Sequence, residues 1–367
     1  MIMNHINIFR DPTRYAGWPA NYGLWAWGNE VVAVFTVGTP LMGAGLHTRS
    51  RAEPFSTVQA RSLDGGQNWS VENPHFPSPG GRGVSADEHM LEELTLAWAI
   101  RHKMEVLPRD CPGGINFTHP DFALMCARTG LGMGTVSWFY VSYDRARTWE
   151  GPYALPLFGQ PGIEARTDTI VNGPSDCMFF LTASCENGDE GAGVLMARTR
   201  DAGKFFTLQT WVCKTPGVMS IMPSSLRVSP RRILTAVRCH TRGRSVQPSF
   251  WIDLYVSDDD GQAFRCLNRP APDTGTGGNP PMLSRLPDGR IVLVYGVRKP
   301  PYGIRARISP DDGETWGEEV FLRQDGGSRD LGYPRSVLLE EGTLVTVYYF
   351  NEQFHAERYI GATIWKP

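Results

Sequence analysis

The sequence predicts an all-β chain, a single six-bladed β-propeller over residues 1–367, and three observations carry that expectation. An eight-residue pattern, Ser/Thr-x-Asp-x-Gly-x-x-aromatic, recurs along the chain. Each copy follows a β-like run. Two further strand-like runs separate one copy from the next, giving the three to four short strands of a propeller blade.

The octets come in order. Ser62-Leu-Asp64-Gly-Gly-Gln-Asn-Trp69 is the first, and Ser142-Tyr-Asp144-Arg-Ala-Arg-Thr-Trp149 is the second, degraded at the glycine. Thr199-Arg-Asp201-Ala-Gly-Lys-Phe-Phe206, Ser257-Asp-Asp259-Asp-Gly-Gln-Ala-Phe264 and Ser309-Pro-Asp311-Asp-Gly-Glu-Thr-Trp316 complete the set. Each reads as a hairpin turn in which hydroxyl and carboxylate bond nearby backbone N–H groups and glycine supplies positive φ. Three successive spacings lie between 52 and 58 residues, so 367 residues make about six blades.

Within a repeat, Pro281–Leu286 and Arg290–Gly296 read as strands joined by the turn Pro287-Asp-Gly289. Between the first two octets, Ser85-Ala-Asp-Glu88 is a capping box followed by Leu91, Leu94, Trp98 and Ile100, which predicts a helical insertion over about 84–112. The sixth repeat has no octet. A ring must close, and Ile6–Phe9 is expected to supply the outer strand of the last blade, removing exposed sheet edges.

Composition narrows the function. Lys+Arg 36 against Asp+Glu 38 gives a net charge of −2, which argues against a broad nucleic-acid surface. No apolar run approaches a membrane span. The first ten residues lack a secretory leader, so a cytoplasmic protein is expected, or an exported one whose leader has been removed. Seven widely spaced cysteines without a CxxC argue against a disulfide scaffold and a zinc site, and read as reduced core thiols. There is no nucleophile elbow, P-loop, dinucleotide fingerprint or HExxH motif. No metal or organic cofactor is expected.

The octets resemble the Asp-box motifs of the sialidase superfamily, and the layout is similar to that family's six-bladed propeller. The chain as a whole resembles bacterial exo-sialidase-like proteins, on the stretches Arg14–Asn21, Ala165-Arg-Thr-Asp168 and Arg329-Asp-Leu-Gly-Tyr-Pro-Arg335. The resemblance implies an exo-acting glycoside hydrolase that releases a terminal acidic sugar, sialic acid or a relative. Arginines clamp the substrate carboxylate. A tyrosine attacks an anomeric centre that would repel a carboxylate nucleophile.

Carried over residue by residue, Arg14 and Arg238 are the expected clamp, with Arg298 or Arg335 beside them, and Tyr333 is the nucleophile. Three positions depart from the family pattern. No arginine follows the second strand of the first blade, where Arg49 or Arg51 stands nearby. No glutamate partners the tyrosine, a role left to Asp168 or Asp330. The usual acid is missing from a loop that offers His47 and Glu53 instead.

From the residues themselves, Arg14, Arg166, Arg238, Arg329 and Arg335 fall at strand ends or start loops, and together read as an anion site. Asp168 and Asp330 each adjoin an arginine, either bracing it or acting as a base. Asp121 is expected to open the second blade's inner strand, capping a turn or touching substrate. Trp25 and Trp27 read as core, and Trp18 as core or sugar platform. Two rival readings stand beside the hydrolase. One is a propeller lyase or hydrolase acting at a uronic-acid linkage, such as rhamnose-glucuronate. The other is a carbohydrate-binding propeller without turnover.

Overall fold

The computed structural model describes residues 3–41, 46–50, 52–53, 55–72, 108–187, 189, 191–242, 247–353 and 357–367. These residues form six antiparallel sheets arranged as the blades of a propeller. The first blade runs β2 (Tyr15–Gly17) and β3 (Gly23–Trp27), both on β4 (Glu30–Gly38), then β5 (Ser56–Ser62) and β6 (Ser70–Glu72). The second has three described strands, β7 (Ala123–Arg128), β8 (Ser137–Ser142) and β9 (Glu150–Leu155). The third has β10 (Ile163–Glu164) and β11 (Thr169–Gly173) on β12 (Asp176–Ala183), then β13 (Gly193–Thr199) and β14 (Thr207–Cys213).

The fourth blade is β15 (Val218–Arg227), β16 (Ile233–Thr241), β17 (Phe250–Ser257) and β18 (Arg265–Ala271). The fifth is β19 (Met282–Arg285), β20 (Ile291–Val297), β21 (Gly303–Ser309) and β22 (Val320–Arg323). The sixth is β23 (Gly332–Leu338), β24 (Leu344–Phe350) and β25 (Tyr359–Trp365), completed by β1 (Met3–Phe9). β1 pairs antiparallel with β25 in the register Met3↔Trp365 to Asn7↔Gly361, so the two chain ends close the ring as the sequence predicts. The helix expected over 84–112 lies outside the described residues except for 108–112, which are not helical.

Six apolar clusters hold the ring, each joining two consecutive blades, and the one between the sixth and first also takes in Ile221 and Met222 of the fourth. Strand alternation explains this. On β4, Val32 and Val34 pack toward the second blade while Ala33, Phe35 and Val37 pack toward the sixth. On β20, Ile291 and Leu293 face the fourth blade, and Val292 and Val294 face the sixth. Both faces are covered, so β4, β20 and β24 are buried along their whole length. That is why these strands read as continuous apolar runs.

All five octets sit in the turn between a blade's third and fourth strands and share one bonding pattern. The hydroxyl of Ser62, Ser142, Thr199, Ser257 or Ser309 accepts the N–H four residues on, at 2.8–3.0 Å. The aspartate accepts the N–H four residues beyond itself, at 2.8–3.0 Å. Four octets place glycine at the second left-handed position; the 142 octet holds Ala146 there at φ 61°. Because strands alternate in direction, the turns between second and third strands, and the links from one blade to the next, lie at the opposite end of the ring.

All seven cysteines are free thiols; five are buried, Cys185 is half-buried and Cys266 is exposed. No helix among the described residues is long and apolar enough to cross a membrane.

Candidate functional site

At the end opposite the octets, chain segments from blades one, four, five and six bring a dense polar cluster around Tyr333. Tyr333 opens β23, is 6 % exposed, and sits in the left-handed region at φ 53°. Asn279 holds it there. The fully buried Asn279 side chain accepts the Tyr333 N–H at 2.8 Å and donates to the Leu331 carbonyl at 3.0 Å. A Cβ at Gly296 or Gly332 would come within 2.5 Å and 2.2 Å of that amide, so both glycines make room for it.

Two guanidinium groups flank the phenol. Arg238 Nη1 donates to the Tyr333 hydroxyl at 3.3 Å, and Arg238 Nη2 donates to the Gly277 carbonyl. Arg298 lies over the Tyr333 ring at 5.5 Å and is anchored by Nε to the Leu331 carbonyl and by Nη2 to the Tyr349 hydroxyl at 2.7 Å. Two of their buried nitrogens, Arg238 Nε and Arg298 Nη1, have no hydrogen-bond partner among the described residues. Both face Gly277 and Gly278, where an added Cβ would lie 3.5 Å from Arg298 Nη1 and 3.2 Å from Arg238 Nε. Burial by itself would raise the Tyr333 phenol, but the charges of Arg238, Arg298 and Arg166 outweigh it and leave its pKa below the usual tyrosine value.

His47, from the loop after β4, meets the Tyr333 ring edge-on at 6.1 Å. Its Nδ1 lies 2.9 Å from the Trp18 indole nitrogen and 3.4 Å from Asp330 Oδ1. An indole N–H only donates, so Nδ1 accepts and the ring proton sits on Nε2. Burial pushes the His47 pKa down to about 4 against the pull of Asp330, so the ring is neutral near pH 7. Asp330 is fully buried and satisfied elsewhere, by Thr48 N–H at 3.1 Å, Arg358 Nε at 3.1 Å and the Tyr349 hydroxyl at 3.0 Å. Contact with His47 and then the Arg358 charge overcome burial and hold its carboxyl well below the ordinary range. Asp330 thus ties the His47 loop, Arg358 and Tyr349 together. Arg49 packs its guanidinium over Trp18 at 5.3 Å and Phe55 at 5.4 Å, and donates to the His47 carbonyl at 3.2 Å.

Asp168 stands on the wall formed by Arg166-Thr167-Asp168. Burial pushes its carboxyl up to about 7, opposed by Arg335 at 3.9 Å and by the Ser225 N–H at 3.3 Å. Its Oδ2 is buried without a partner among the described residues. Arg335 lies two residues along β23 from Tyr333, past an irregularity in the strand, and is tied to the carbonyls of Thr167 and Ala20. It ties three inner segments together across the ring.

Three sequence-predicted residues are not brought into this cluster, and no described contact ties a fourth, Arg14, to it. Asp121 precedes β7, which is the second blade's second strand and not its inner one, because the octet follows β8 directly. That puts Asp121 at the octet end, where its carboxylate accepts from Arg145 Nε at 2.6 Å. Glu53 is exposed and accepts the Thr39 hydroxyl at 2.6 Å. Arg329 is exposed. Arg14 and Asp11 are both half-buried; the Asp11 carbonyl accepts the Arg14 N–H at 3.0 Å, and the buried Arg14 Nε has no hydrogen-bond partner among the described residues. Arg51 lies outside the described residues. Sequence reasoning missed Asn279, Tyr349, Tyr15 and Arg358. Trp18, left open between core and sugar platform, is 1 % exposed and serves His47; Trp25 and Trp27 are half-buried against the first and second blades.

No family model matches the chain, and no curated protein matches it. Solved structures do. A protein of unknown function from Dyadobacter fermentans superposes with a TM-score of 0.71 at 19% identity, covering 99% of this chain and 98% of that one. An alpha-L-arabinanase from Penicillium chrysogenum, solved with arabinobiose, gives 0.64 at 14% identity, covering 99% and 97%. The Trypanosoma rangeli sialidase gives 0.58 at 11% identity, covering 99% of this chain and 59% of that chain. The fold is thus one shared with propeller glycoside hydrolases of more than one substrate class.

Proposed function

We propose that the protein is an exo-acting glycoside hydrolase that releases a terminal acidic sugar, sialic acid or a relative, from a glycan. The observation that carries this reading is the buried Tyr333 phenol between Arg238 and Arg298, with two guanidinium nitrogens left unpartnered beside Gly277 and Gly278. A buried charged donor without an acceptor costs roughly 1–3 kcal/mol or more, so this pair favours an anionic ligand group. A sugar carboxylate bound there sets the anomeric carbon near the phenol.

In the first step Tyr333 reacts as the phenolate, its proton lost to solvent beforehand under the charges of Arg238 and Arg298, and its oxygen forms a bond to the anomeric carbon as the bond to the leaving oxygen breaks. Asp168, protonated at and below about pH 7, gives the leaving oxygen its proton. Water then cleaves the glycosyl–tyrosine bond, with the Asp168 carboxylate taking the water proton. Neutral His47 offers Nε2–H to a substrate oxygen; with Nδ1 already accepting from Trp18, it is not the base. No metal or organic cofactor enters this scheme.

The absence, among the described residues, of a carboxylate against the Tyr333 hydroxyl supports a second reading. A phenolate stabilised by arginine suits abstraction of the proton beside a uronate carboxylate, with β-elimination at the glycosidic bond. The test is turnover of aryl sialosides and aryl or oligomeric glucuronides by the wild type and Tyr333→Phe. Hydrolysis of an acidic glycoside, lost by several orders of magnitude in Tyr333→Phe with the fold intact, is the expected result. An unsaturated, ultraviolet-absorbing product selects the lyase. Binding without any product refutes both.

A further inference from the structure

We propose that a cleft between the third and fourth blades seats the neutral sugar residues that follow the terminal acidic sugar; this rests on the reading above. The cleft has a volume of about 850 Å³ and opens at the same end of the ring as Tyr333. The segment after β12 (Ser184–Asn187), the link before β15 (Lys214–Val218) and the link before β10 (Gly159–Pro161) form its walls, and Arg242 closes one side.

The cleft continues from the arginine site. Arg238, His240 and Arg242 occupy alternate positions along β16 and its end, and so share one face. At about 3.3 Å per residue, Arg242 lies about 13 Å from Arg238 along the strand, a span of more than one sugar ring. On the neighbouring strand β15, Val218 lines the cleft, and the sulfur of Met222 lies 3.4 Å from Arg238 Nη1. A chain of sugars leaving the Tyr333 site over Met222 and Met219 enters this cleft.

Its chemistry differs from that of the arginine site. Arg242 is engaged by Asp189 at 3.5 Å and by the Gly191 carbonyl at 2.7 Å. Lys214 stands 4.6 Å over the Trp211 ring, and Glu186 opposes it in the lining. The charges balance, so a second carboxylate gains nothing here. Gln160, Asn187 and Thr215 offer amide and hydroxyl partners, while Pro161, Pro216 and Val218 offer apolar faces. That mixture of a few placed polar groups on apolar walls suits neutral pyranose rings.

The test compares two probes, 4-methylumbelliferyl sialoside and 3′-sialyllactose, on wild type, Thr215→Trp and Asn187→Ala. Thr215 is exposed on the cleft rim, so the indole fills the cleft without entering the core. The expected result is a fall of about tenfold or more in kcat/KM for sialyllactose, carried by KM, with the aryl glycoside within about twofold of wild type. Equal effects on both probes, or none on sialyllactose, overturn the proposal. Turnover of neither probe counts against the acidic-sugar reading alone. The cleft is then read by NMR titration with lactose: binding lost in Thr215→Trp supports it, and unchanged or absent binding overturns it.

Discussion

Asp168→Asn isolates a buried carboxyl whose proton is worth a measurable share of the fold. Asp168 is 7 % exposed, and burial pushes its pKa up to about 7, although Arg335 and the Ser225 N–H pull it down. A carboxyl raised from about 4 to about 7 on folding is worth about 4 kcal/mol, at about 1.4 kcal/mol per tenfold. The sign follows from proton counting. Between the unfolded and folded values the native state holds a proton that the unfolded chain has lost. The stabilisation is therefore complete below about pH 4, shrinks as pH rises, and is gone above about pH 7. Asparagine keeps the size of the side chain and has no proton to lose. Urea denaturation of both proteins from about pH 4.5 to 8.5 gives the difference in unfolding free energy, in which the other titrating groups cancel. The variant should gain about 3–4 kcal/mol on the wild type across that range. A difference flat in pH would show an ionised Asp168 paired with Arg335, and would remove it as a proton donor at neutral pH.

Other perturbations probe the same architecture. Asn279→Ala leaves the buried Tyr333 N–H without its 2.8 Å acceptor, so chemical denaturation should show a loss of about 1–3 kcal/mol, and kcat should fall with little change in KM. Restored kcat in Asn279→Ser, which keeps an acceptor oxygen, would separate positioning from general destabilisation. Ala146→Gly relieves the one non-glycine at the second left-handed octet position, and its denaturation midpoint should rise by the equivalent of about 1 kcal/mol; an unchanged midpoint refutes strain there. Trp18→Phe removes the indole N–H that occupies His47 Nδ1, freeing it to protonate toward Asp330 at 3.4 Å. The His47 pKa, now about 4, should then rise in an NMR titration, and a fixed value would reject the tautomer assignment.

The architecture was legible because it is local and repeated. Five octets report their own turn geometry, and the run Ile6–Phe9 has nowhere to pair in a closed ring except the last blade. The hairpin expected at Pro287-Asp-Gly289 stands between β19 and β20. The site was legible only where a residue's place in its blade was. Arg238 lies near the end of a second strand and Tyr333 near the start of an inner one, so both reach one end of the ring. Asp121 was placed one strand too far inward, which turns a residue from one end of the blade to the other. Asn279 gave no local signal, since an Asn before Pro280-Pro281 reads as loop. Its trace was indirect: glycines at 296 and 332, each within a strand that otherwise favours larger residues.

Under the acidic-sugar reading, the arrangement around Tyr333 accounts for a tyrosine nucleophile with no carboxylate partner among the described residues. A neighbouring carboxylate activates a phenol by accepting its proton, and works only while that carboxylate is itself ionised. Arginines act on the other protonation state: they stabilise the phenolate once the proton has gone, and stay charged at any pH the fold survives. A substrate carboxylate bound at Arg238 and Arg298 cancels part of that charge. The Tyr333 pKa should therefore rise on binding, and the proton should return to the phenol unless another group holds it. Arg166, which also lowers the Tyr333 pKa, is the charge left to oppose this. Under the acidic-sugar reading, then, Arg166→Met should leave substrate affinity largely intact while moving the alkaline rise of kcat to higher pH. The same substitution moving KM instead would place Arg166 in the clamp, and leave the phenol to be activated by the substrate itself.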